Sequence, residues 1–354
     1  MARICIFGAG AIGGYLAHAL HQGGAEVSLI ARGPHLRAIQ ENGLTLIKDG
    51  ESETLRLKAS DTAADLGPQD YVIIGLKAHS VPPIVDQFAS LLHDDTAIVP
   101  AVNGIPWWYF HAANTGTAMD DTWVETVDPD GAQWKTFGPE RAIGCVVYPA
   151  CEIVEPGVVA HKSGDRFTLG EPDGSRSDRA MELSRLMRAG GLRAPVKPRI
   201  RDELWIKLWG NCSFNPVSAL TGASLDLIGT DPACRAVIRD AMAECQRVGE
   251  AAGARFTVGI ERRIDGAAAI IGHKPSTRHD VEQNRPMELD ALVCSVLELA
   301  RRLDIATPTL DTIAALVRMQ GEVLGLYHRR PEIERAIGLS DHSSFDQPHL
   351  RGPV

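Results

Sequence analysis

A lysine and two asparagines recur at four-residue intervals in the second half of the chain. Lys207, Asn211 and Asn215 are spaced i, i+4 and i+8, which places them on one face of a helix. The neighbouring positions carry mainly Trp, Ile, Leu and Phe. A helix that is apolar nearly all round is buried, so its polar stripe faces a cavity or partner groups rather than solvent. A buried amine among amides can hold a proton ready for a developing oxyanion, which we expect of Lys207.

A glycine-rich segment near the N-terminus has the spacing of a dinucleotide site. The segment follows an apolar run at residues 4–7 and reads Gly8-Ala9-Gly10-Ala11-Ile12-Gly13. The apolar run predicts a strand, and residues 12–23 predict the helix that follows the glycine turn. In this arrangement the glycines let the backbone approach a pyrophosphate, while the helix N-terminus faces the phosphates.

The residue after the next predicted strand selects between the two nicotinamide cofactors. An NAD site usually carries an acidic residue about 20 positions beyond the glycines, where it accepts from the ribose hydroxyls. Here the strand at residues 26–30 is followed by Arg32, and no acidic residue is near it. A guanidinium suits a 2′-phosphate through bidentate, charge-assisted hydrogen bonds. The sequence therefore predicts NADP(H), the alternative being that Arg32 is a solvated loop charge.

The elements that must position these residues alternate between strands and helices, which predicts a parallel sheet. Residues 44–47 and 54–58 flank Asp49-Gly50 and predict a hairpin. Two further strands end in Lys77 and Asn103, with a helix at residues 81–92 between them. Ligands of open α/β sheets bind beyond the carboxyl ends of the strands, so Lys77 and Asn103 are candidates for ligand contact; for either alone, a loop-capping role would be the ordinary explanation.

Length and composition narrow the class of protein. The chain has 354 residues and a formal net charge of −9, and its acidic balance without basic, aromatic-rich stretches argues against nucleic acid. Seven scattered cysteines without a CxxC pair predict reduced thiols in a cytoplasmic protein. Neither a signal peptide, a membrane span nor a metal signature is recognisable. This length predicts two domains, residues 1–198 and residues 199–330, followed by a flexible tail at 331–354.

Taken in order along the chain, these motifs resemble those of the ketopantoate reductases (2-dehydropantoate 2-reductases). The resemblance covers the glycine segment, Leu76-Lys77-Ala78, Asn103-Gly104 and the Lys-x-x-x-Asn-x-x-x-Asn-Pro helix at 207–216. It continues through Lys274-Pro275-Ser276-Thr277 and Met287-Glu288-Leu289-Asp290. It implies an α/β fold in which a Rossmann-type dinucleotide-binding domain precedes an all-helical, 6-phosphogluconate-dehydrogenase-like domain. The implied activity is the NADPH-dependent reduction of ketopantoate to D-pantoate, on the route to pantothenate.

The resemblance also implies roles for individual residues. Lys207 resembles the proton donor, and Glu288 resembles a catalytic carboxylate near the substrate and the nicotinamide ribose. Asn103, Asn211, Asn215 and Ser276 look like substrate contacts. The implied cofactor contacts are Gly8, Ala9, Gly10, Ala11, Ile12, Gly13, Arg32, Lys77, Asn103, Ala150 and Glu288. From the residues alone, Ser276 after Pro275 could be a helix cap, and Glu288 could serve only the dipole of a helix at residues 286–302.

The segment at residues 105–141 is longer than the corresponding segment of compact relatives by roughly twenty residues or more. This length exceeds that of ordinary loops. The segment begins with an aromatic run at 107–110, and it could form a lid, an oligomer contact or a surface excursion.

Three functions remain open from the sequence. They are ketopantoate reduction, reduction of another bulky 2-oxo acid, and NADP(H) binding by a regulatory protein without turnover. A regulatory protein would need Arg32 and the glycines but no proton donor, so Lys207 argues against it. A homodimer is possible, since relatives often dimerise.

Overall fold

The structure, a computed structural model, describes residues 1–339. Its strands are β1 (Arg3–Phe7), β2 (Glu26–Ile30), β3 (Leu44–Lys48), β4 (Glu51–Leu55), β5 (Lys58–Ser60), β6 (Tyr71–Ile74), β7 (Ala97–Pro100), β8 (Gly144–Val147), β9 (Ala150–Glu155), β10 (Val158–Ser163) and β11 (Phe167–Gly170).

The α-helices lie before and after residue 199. Residues 1–198 hold α1 (Ala11–Gln22), α2 (Gly33–Asn42), α3 (Ala132–Phe137) and α4 (Asp178–Ala189). Residues 199–339 hold α5 (Ile200–Thr221), α6 (Leu225–Thr230), α7 (Pro232–Ala251), α8 (Ile260–Ala268), α9 (Ser276–Glu282), α10 (Ser295–Arg302), α11 (Pro308–Val323) and α12 (Pro331–Ala336). Short 3-10 helices span Ala63–Asp65, Ala78–Ser80, Pro82–Leu91, Pro129–Gly131 and Pro139–Arg141, and a π-helix spans Asp290–Cys294.

Five strands form the predicted parallel sheet, in the order β5-β2-β1-β6-β7. The central strand β1 pairs with β2 through Ile4 and Val27, and with β6 through Ile4 and Tyr71. Every pair in this sheet is parallel. Consequently the carboxyl ends of β1, β2, β6 and β7 lie along one edge, which brings the residues that follow these strands together.

The hairpin predicted around Asp49-Gly50 is confirmed, and it belongs to a second sheet. The two turn residues have φ values of 53° and 84°, the left-handed geometry that tight two-residue hairpins need. The sheet order is β4-β3-β10-β9. Strand β9 was not predicted, because its residues lack an apolar alternation; it pairs antiparallel with β10, which begins three residues after β9 ends.

Two predicted helices differ from the structure. Residues 82–91 form a 3-10 helix instead of the predicted α-helix, and it is interrupted at Ile84, which has non-helical backbone angles. The helix predicted over residues 286–302 begins later than expected. It opens with the π-helix at Asp290–Cys294 and continues as α10, so Glu288 precedes the helix instead of lying in its first turn.

The aromatic run at residues 107–110 lies in the hydrophobic core. For this part of the long segment, the expectations of a lid, an oligomer contact or a surface excursion are therefore wrong. Trp107, Trp108, Tyr109 and Phe110 are each at most 2% exposed. The Tyr109 hydroxyl donates to Ala252 O at 3.0 Å and accepts from Trp205 Nε1 at 2.7 Å. The segment therefore fills the junction between the sheet and the helices rather than extending from the surface.

The first part of the predicted flexible tail is a packed helix. Ile333 of α12 and Ile337 just beyond it are almost completely buried, and Glu334 forms a salt bridge with Arg318 of α11. These apolar contacts explain why the expectation is wrong for residues 331–339. The rest of the predicted tail, residues 340–354, lies outside the described residues. Within residues 1–339, no helix has the length and apolar character needed to cross a membrane.

Candidate active site

The glycine segment forms a tight turn between β1 and α1 with open space beside it. Gly8 has a φ of 102°. A Cβ on Gly13 would lie 2.1 Å from Gly8 O, whereas a Cβ on Gly10 would meet nothing closer than Gly75 O at 3.9 Å. Gly10 precedes α1 without a side-chain cap, so the backbone N–H groups of Ala11 and Ile12 at the helix start face outward. This geometry fits a dinucleotide pyrophosphate.

Arg32 lies beyond the end of β2, directly before α2. Its side chain is exposed, and it has no hydrogen bond or salt bridge within the described part of the chain. The guanidinium is therefore free to bind an anionic group at the same sheet edge as the glycine turn, as a 2′-phosphate requires.

His35 supports this edge and was not identified from the sequence. Its Nε2 lies 2.7 Å from Ala9 O, and its Nδ1 accepts from Gly157 N at 3.0 Å. With Nδ1 accepting, Nε2 carries the proton and donates to Ala9 O. His35 thus connects the glycine turn to the second sheet by two hydrogen bonds, which together require one tautomer. The sequence did not predict this role, because a single histidine at the start of a helix matches no motif.

Lys207 lies half-buried where α5 meets the strand ends. Its Nζ donates to Asn103 Oδ1 at 2.6 Å and also to Val147 O at the end of β8. The helix supplies the amine and the two sheet-side residues supply its acceptors. Burial lowers the pKa of Lys207 from 10.5 to about 8, and the nearby Cys145 and Glu288 oppose that shift. The ammonium form is consequently dominant at neutral pH but more acidic than that of an exposed lysine.

A glycine and a helix carbonyl position Asn103. Gly104 has a φ of 88°, and a Cβ there would lie 2.1 Å from Ala291 O. The same carbonyl accepts from Ile105 N at 3.3 Å. The loop after β7 therefore packs directly against the π-helix. Only glycine at position 104 lets the backbone come this close to Ala291 O.

The remaining predicted substrate contacts lie together along α5 and at the start of α9. Asn215 Nδ2 lies 3.4 Å from Asn211 Oδ1 and 3.5 Å from Ser276 Oγ. Asn215 is buried and Ser276 is exposed. Pro275 occupies the cap position, so the hydroxyl of Ser276 does not cap the helix and is available to a ligand. The predicted one-face arrangement of Lys207, Asn211 and Asn215 is present.

Glu288 and Lys77 join the sheet edge to the helices. Glu288 is buried, and its Oε1 accepts from Ala78 N at 3.2 Å. Lys77 forms a salt bridge of 2.7 Å with Asp280 and donates to Pro286 O at 2.6 Å. Burial raises the pKa of Asp280, and Lys77 opposes that shift. Both predicted residues therefore lie at the junction, with Lys77 already engaged by protein groups.

Ala150 opens β9 and pairs with Ser163 of β10. It follows Val147, whose carbonyl accepts from Lys207, by three residues. Ala150 is half-buried, and no hydrogen bond joins it to Lys207 or the other candidates within residues 1–339.

Two charged or aromatic side chains at this junction were missed by sequence reasoning. Tyr148 follows β8, and its ring centroid lies 6.0 Å from Lys207 Nζ. Arg263 of α8 reaches α5 beside Gly210. No motif marks either residue, because their places depend on contacts between distant parts of the chain.

A nucleotide-binding parallel sheet, a helical unit and a buried amine between them define a two-domain nicotinamide-dependent oxidoreductase. Comparisons with known proteins narrow this class. The family "Ketopantoate reductase PanE/ApbA" matches residues 4–174, and its C-terminal counterpart matches residues 199–321. The chain belongs to the ketopantoate reductase family, and it is an oxidoreductase acting on CH–OH groups. The predicted family, fold class and enzyme class are confirmed.

Individual relatives agree with this assignment. The chain is 52% identical over 326 residues to the 2-dehydropantoate 2-reductase of Mesorhizobium japonicum, covering 92% of this chain and 99% of the relative. A crystal structure of a putative ketopantoate reductase from Ralstonia solanacearum matches with a TM-score of 0.87 and 38% identity, over 92% and 99% of the two chains. D-mandelate dehydrogenase, solved with NADH and anilino(oxo)acetate, matches with a TM-score of 0.76 at 21% identity over 92% and 99%, which shows a shared fold.

Proposed function

We propose that this protein reduces ketopantoate to D-pantoate with NADPH and that Lys207 donates the proton. The supporting observation is the Lys207 ammonium, held at the junction by Asn103 and Val147 beside the polar stripe of α5. A non-catalytic nucleotide binder has no need of this arrangement. The 52% identity to a 2-dehydropantoate 2-reductase supports ketopantoate as the substrate.

The cofactor is NADPH, which the family uses and the sequence predicted. Gly8, Ala9, Gly10, Ala11, Ile12 and Gly13 would hold its pyrophosphate, and Arg32 would hold its 2′-phosphate. Lys77, Asn103, Ala150 and Glu288 would line the side of the site toward the nicotinamide. When bound, the cofactor supplies a hydride to the carbonyl carbon of the substrate.

Lys207 protonates the oxygen that becomes an alkoxide. Its lowered pKa of about 8 brings the ammonium closer to the working pH, where general acids are most effective. Asn103 Oδ1 and Val147 O each accept one N–H, which leaves the third N–H of the ammonium for the substrate oxygen. The charge of the ammonium also stabilises the developing oxyanion before the proton moves.

The other polar groups orient the substrate. Asn211, Asn215 and Ser276 offer amide and hydroxyl hydrogen bonds along one side of the junction. Glu288 is held by Ala78 N, and its interaction with Lys207 favours the protonated amine. We also propose that the two domains divide near residue 198, just before α5, and that the protein forms a homodimer.

The test is a turnover assay of the wild-type protein with NADPH and a panel of 2-oxo acids. We expect the highest kcat/KM for ketopantoate and a D-pantoate product. A higher kcat/KM for another bulky 2-oxo acid would replace the substrate but keep the chemistry. Binding of NADPH without turnover of any 2-oxo acid would contradict the proposal and favour a regulatory nucleotide binder.

A further inference from the structure

An arginine without a partner faces the same helix as the candidate catalytic lysine. Arg263 of α8 directs its guanidinium at α5, where Nη2 lies 3.0 Å from the position that a Cβ on Gly210 would occupy. Its Nε is buried and has no hydrogen-bond partner among the described residues. The residue as a whole is half-buried.

The lack of a partner is unusual for a half-buried guanidinium. Burial lowers the pKa of Arg263, and the Tyr148 phenol opposes that shift. Arginine has five N–H donors in a fixed fork, and desolvating them without acceptors costs free energy. Within residues 1–339 no carboxylate forms a salt bridge with Arg263. Glu203 of α5 and Glu261 of α8 are paired with other arginines, Arg166 and Arg235.

The position of Arg263 relative to Lys207 follows from the helix. Glu203, Lys207 and Gly210 lie at i, i+4 and i+7 on α5, so they share one face. Lys207 and Gly210 are separated by one turn, a rise of about 4.5 Å. Tyr148 covers this face: its hydroxyl donates to Glu203 at 3.2 Å and its ring lies over Lys207. Burial raises the pKa of Tyr148 to about 12, so the phenol adds no negative charge to pair with Arg263.

We propose that Arg263 binds the carboxylate of the 2-oxo acid while Lys207 donates to its carbonyl oxygen. This inference rests on the proposed function, and it adds the residue that selects an acid over a neutral ketone. In a 2-oxo acid the carboxylate is bonded to the carbonyl carbon, so the substrate needs two cationic partners on the same side of the site. Arg263 contacts α5 at Gly210, three residues after Lys207, and Tyr148 lies beside both cations. A guanidinium binds a carboxylate with two parallel hydrogen bonds.

Gly210 has a specific purpose in this arrangement. A Cβ there would lie 3.0 Å from Nη2, so the guanidinium would have to shift by a few tenths of an ångström. Alanine at this position favours the helix. Gly210→Ala is therefore a variant that should fold well and disturb the carboxylate subsite slightly.

The experiment compares Arg263→Met with the neighbouring Arg262→Met, which changes an exposed arginine on the same helix. We expect Arg263→Met to raise the KM for ketopantoate by about 10- to 100-fold, the range for losing a charged hydrogen-bonding partner. We expect a much smaller change in kcat, an unchanged Kd for NADPH and weaker calorimetric binding of D-pantoate. Arg262→Met should match the wild type, and Gly210→Ala should raise KM without lowering the unfolding temperature.

A neutral substrate provides the second measurement. The primary amide of the same 2-oxo acid should be a poor substrate for the wild type, and Arg263→Met should lose most of this discrimination. If the wild type is active but Arg263→Met retains the wild-type KM, D-pantoate affinity and preference for acid over amide, Arg263 does not bind the carboxylate and the proposed function stands. If the wild type neither turns over a 2-oxo acid nor binds D-pantoate, both proposals fail. If Arg263→Met is unfolded, the polar variant Arg263→Gln replaces it, since it also removes the charge: an unchanged KM and an unchanged preference for acid over amide would overturn the subsite.

Discussion

At the scale of single residues, the proposed chemistry depends on the burial and hydrogen bonding of the Lys207 amine. The Lys207 amine lies on α5 at the junction, where it is largely shielded from water. Two of its N–H groups donate hydrogen bonds to Asn103 Oδ1 and Val147 O. These hydrogen bonds offset part of the desolvation cost without neutralising the charge. Burial lowers the pKa to about 8, so the amine is a better acid than an exposed lysine and is still protonated at neutral pH.

This pKa predicts a pH dependence for reduction. The proton donor must be charged, so kcat/KM for ketopantoate should be constant below pH 8 and fall as the pH rises through about 8. The pH profile of kcat/KM reports ionisations of the free enzyme and substrate, and ketopantoate does not titrate in this range. A profile that stays flat to pH 10 would mean that Lys207 is not the group whose protonation limits the reaction.

Arg32 predicts the cofactor preference. Arg32→Ala removes the exposed guanidinium at the end of β2, so we expect the Kd for NADPH to rise by about 10-fold or more, as for loss of a charge-assisted hydrogen bond. The Kd for NADH, which has no 2′-phosphate, should change little. Titration of both nucleotides against the variant and wild type measures this difference. Equal losses for the two cofactors would contradict 2′-phosphate recognition.

At the scale of elements, the site is assembled where a sheet edge meets helices. The loop after β7 carries Asn103 and is seated on the π-helix through Gly104. Helix α5 carries Lys207, and the end of β8 provides Val147 O. The amine and its two acceptors lie on three different elements. The proposed activity therefore requires α5, the loop after β7 and the end of β8 to pack closely together.

Gly104→Ala tests that contact. The new methyl group would lie 2.1 Å from Ala291 O at a φ of 88°, so the loop must move and displace Asn103 from Lys207. We expect kcat/KM to fall by at least about 10-fold, because small misplacements of catalytic groups are costly, and the unfolding temperature to fall. Gly116→Ala is the control: it has a φ of 74° with nothing within 4 Å, so it should show only the backbone strain of roughly 1–2 kcal/mol. Equal activity in the two variants would mean that Gly104 does not position Asn103.

Local signals in the sequence were sufficient for many elements and not for others. The glycine turn and the Asp49-Gly50 hairpin could be predicted because each is specified by residues within its own segment. The polar face of α5 could be predicted from the four-residue spacing alone. Strand β9 and helix α8 could not, since the first lacks an apolar alternation and the second depends on packing against α6 and α7.

The same distinction applies within the candidate site. Lys207, Asn211 and Asn215 were proposed from their spacing, and Ser276 and Glu288 from a family resemblance. The positions of His35, Tyr148 and Arg263 were not predicted, because each contacts a partner far away in the chain, such as Ala9 for His35 and Gly210 for Arg263. Their residue types are common at surfaces, so only the folded arrangement distinguishes them.

At the scale of the whole molecule, the sheet and the helices share one hydrophobic core. A single cluster of buried side chains includes Phe7 and Ile74 from the sheet, Trp108 from the long segment, and Trp205 and Trp209 from α5. The long segment between β7 and β8 therefore acts as an internal connection between the two halves. This continuity predicts that the halves unfold together.

Tyr109→Phe tests this connection. It removes a buried hydroxyl that bonds Ala252 O and Trp205 Nε1, leaving both groups unpaired. Such a loss costs about 1–3 kcal/mol for each unsatisfied group. We expect thermal unfolding to remain one transition, shifted to lower temperature for both circular dichroism and tryptophan fluorescence. Two separate transitions, with only one shifted, would show that the halves are independent.

The most direct test of the central claim is a single-turnover measurement on Lys207→Ala loaded with NADPH and mixed with ketopantoate. We expect oxidation of NADPH to be slower than in the wild type by about 10²-fold or more, the range for losing a general acid. Nucleotide affinity should be retained, and Lys197→Ala, which changes an exposed lysine, should react at the wild-type rate. If Lys207→Ala oxidises NADPH as fast as the wild type, the amine at the junction is not the proton donor.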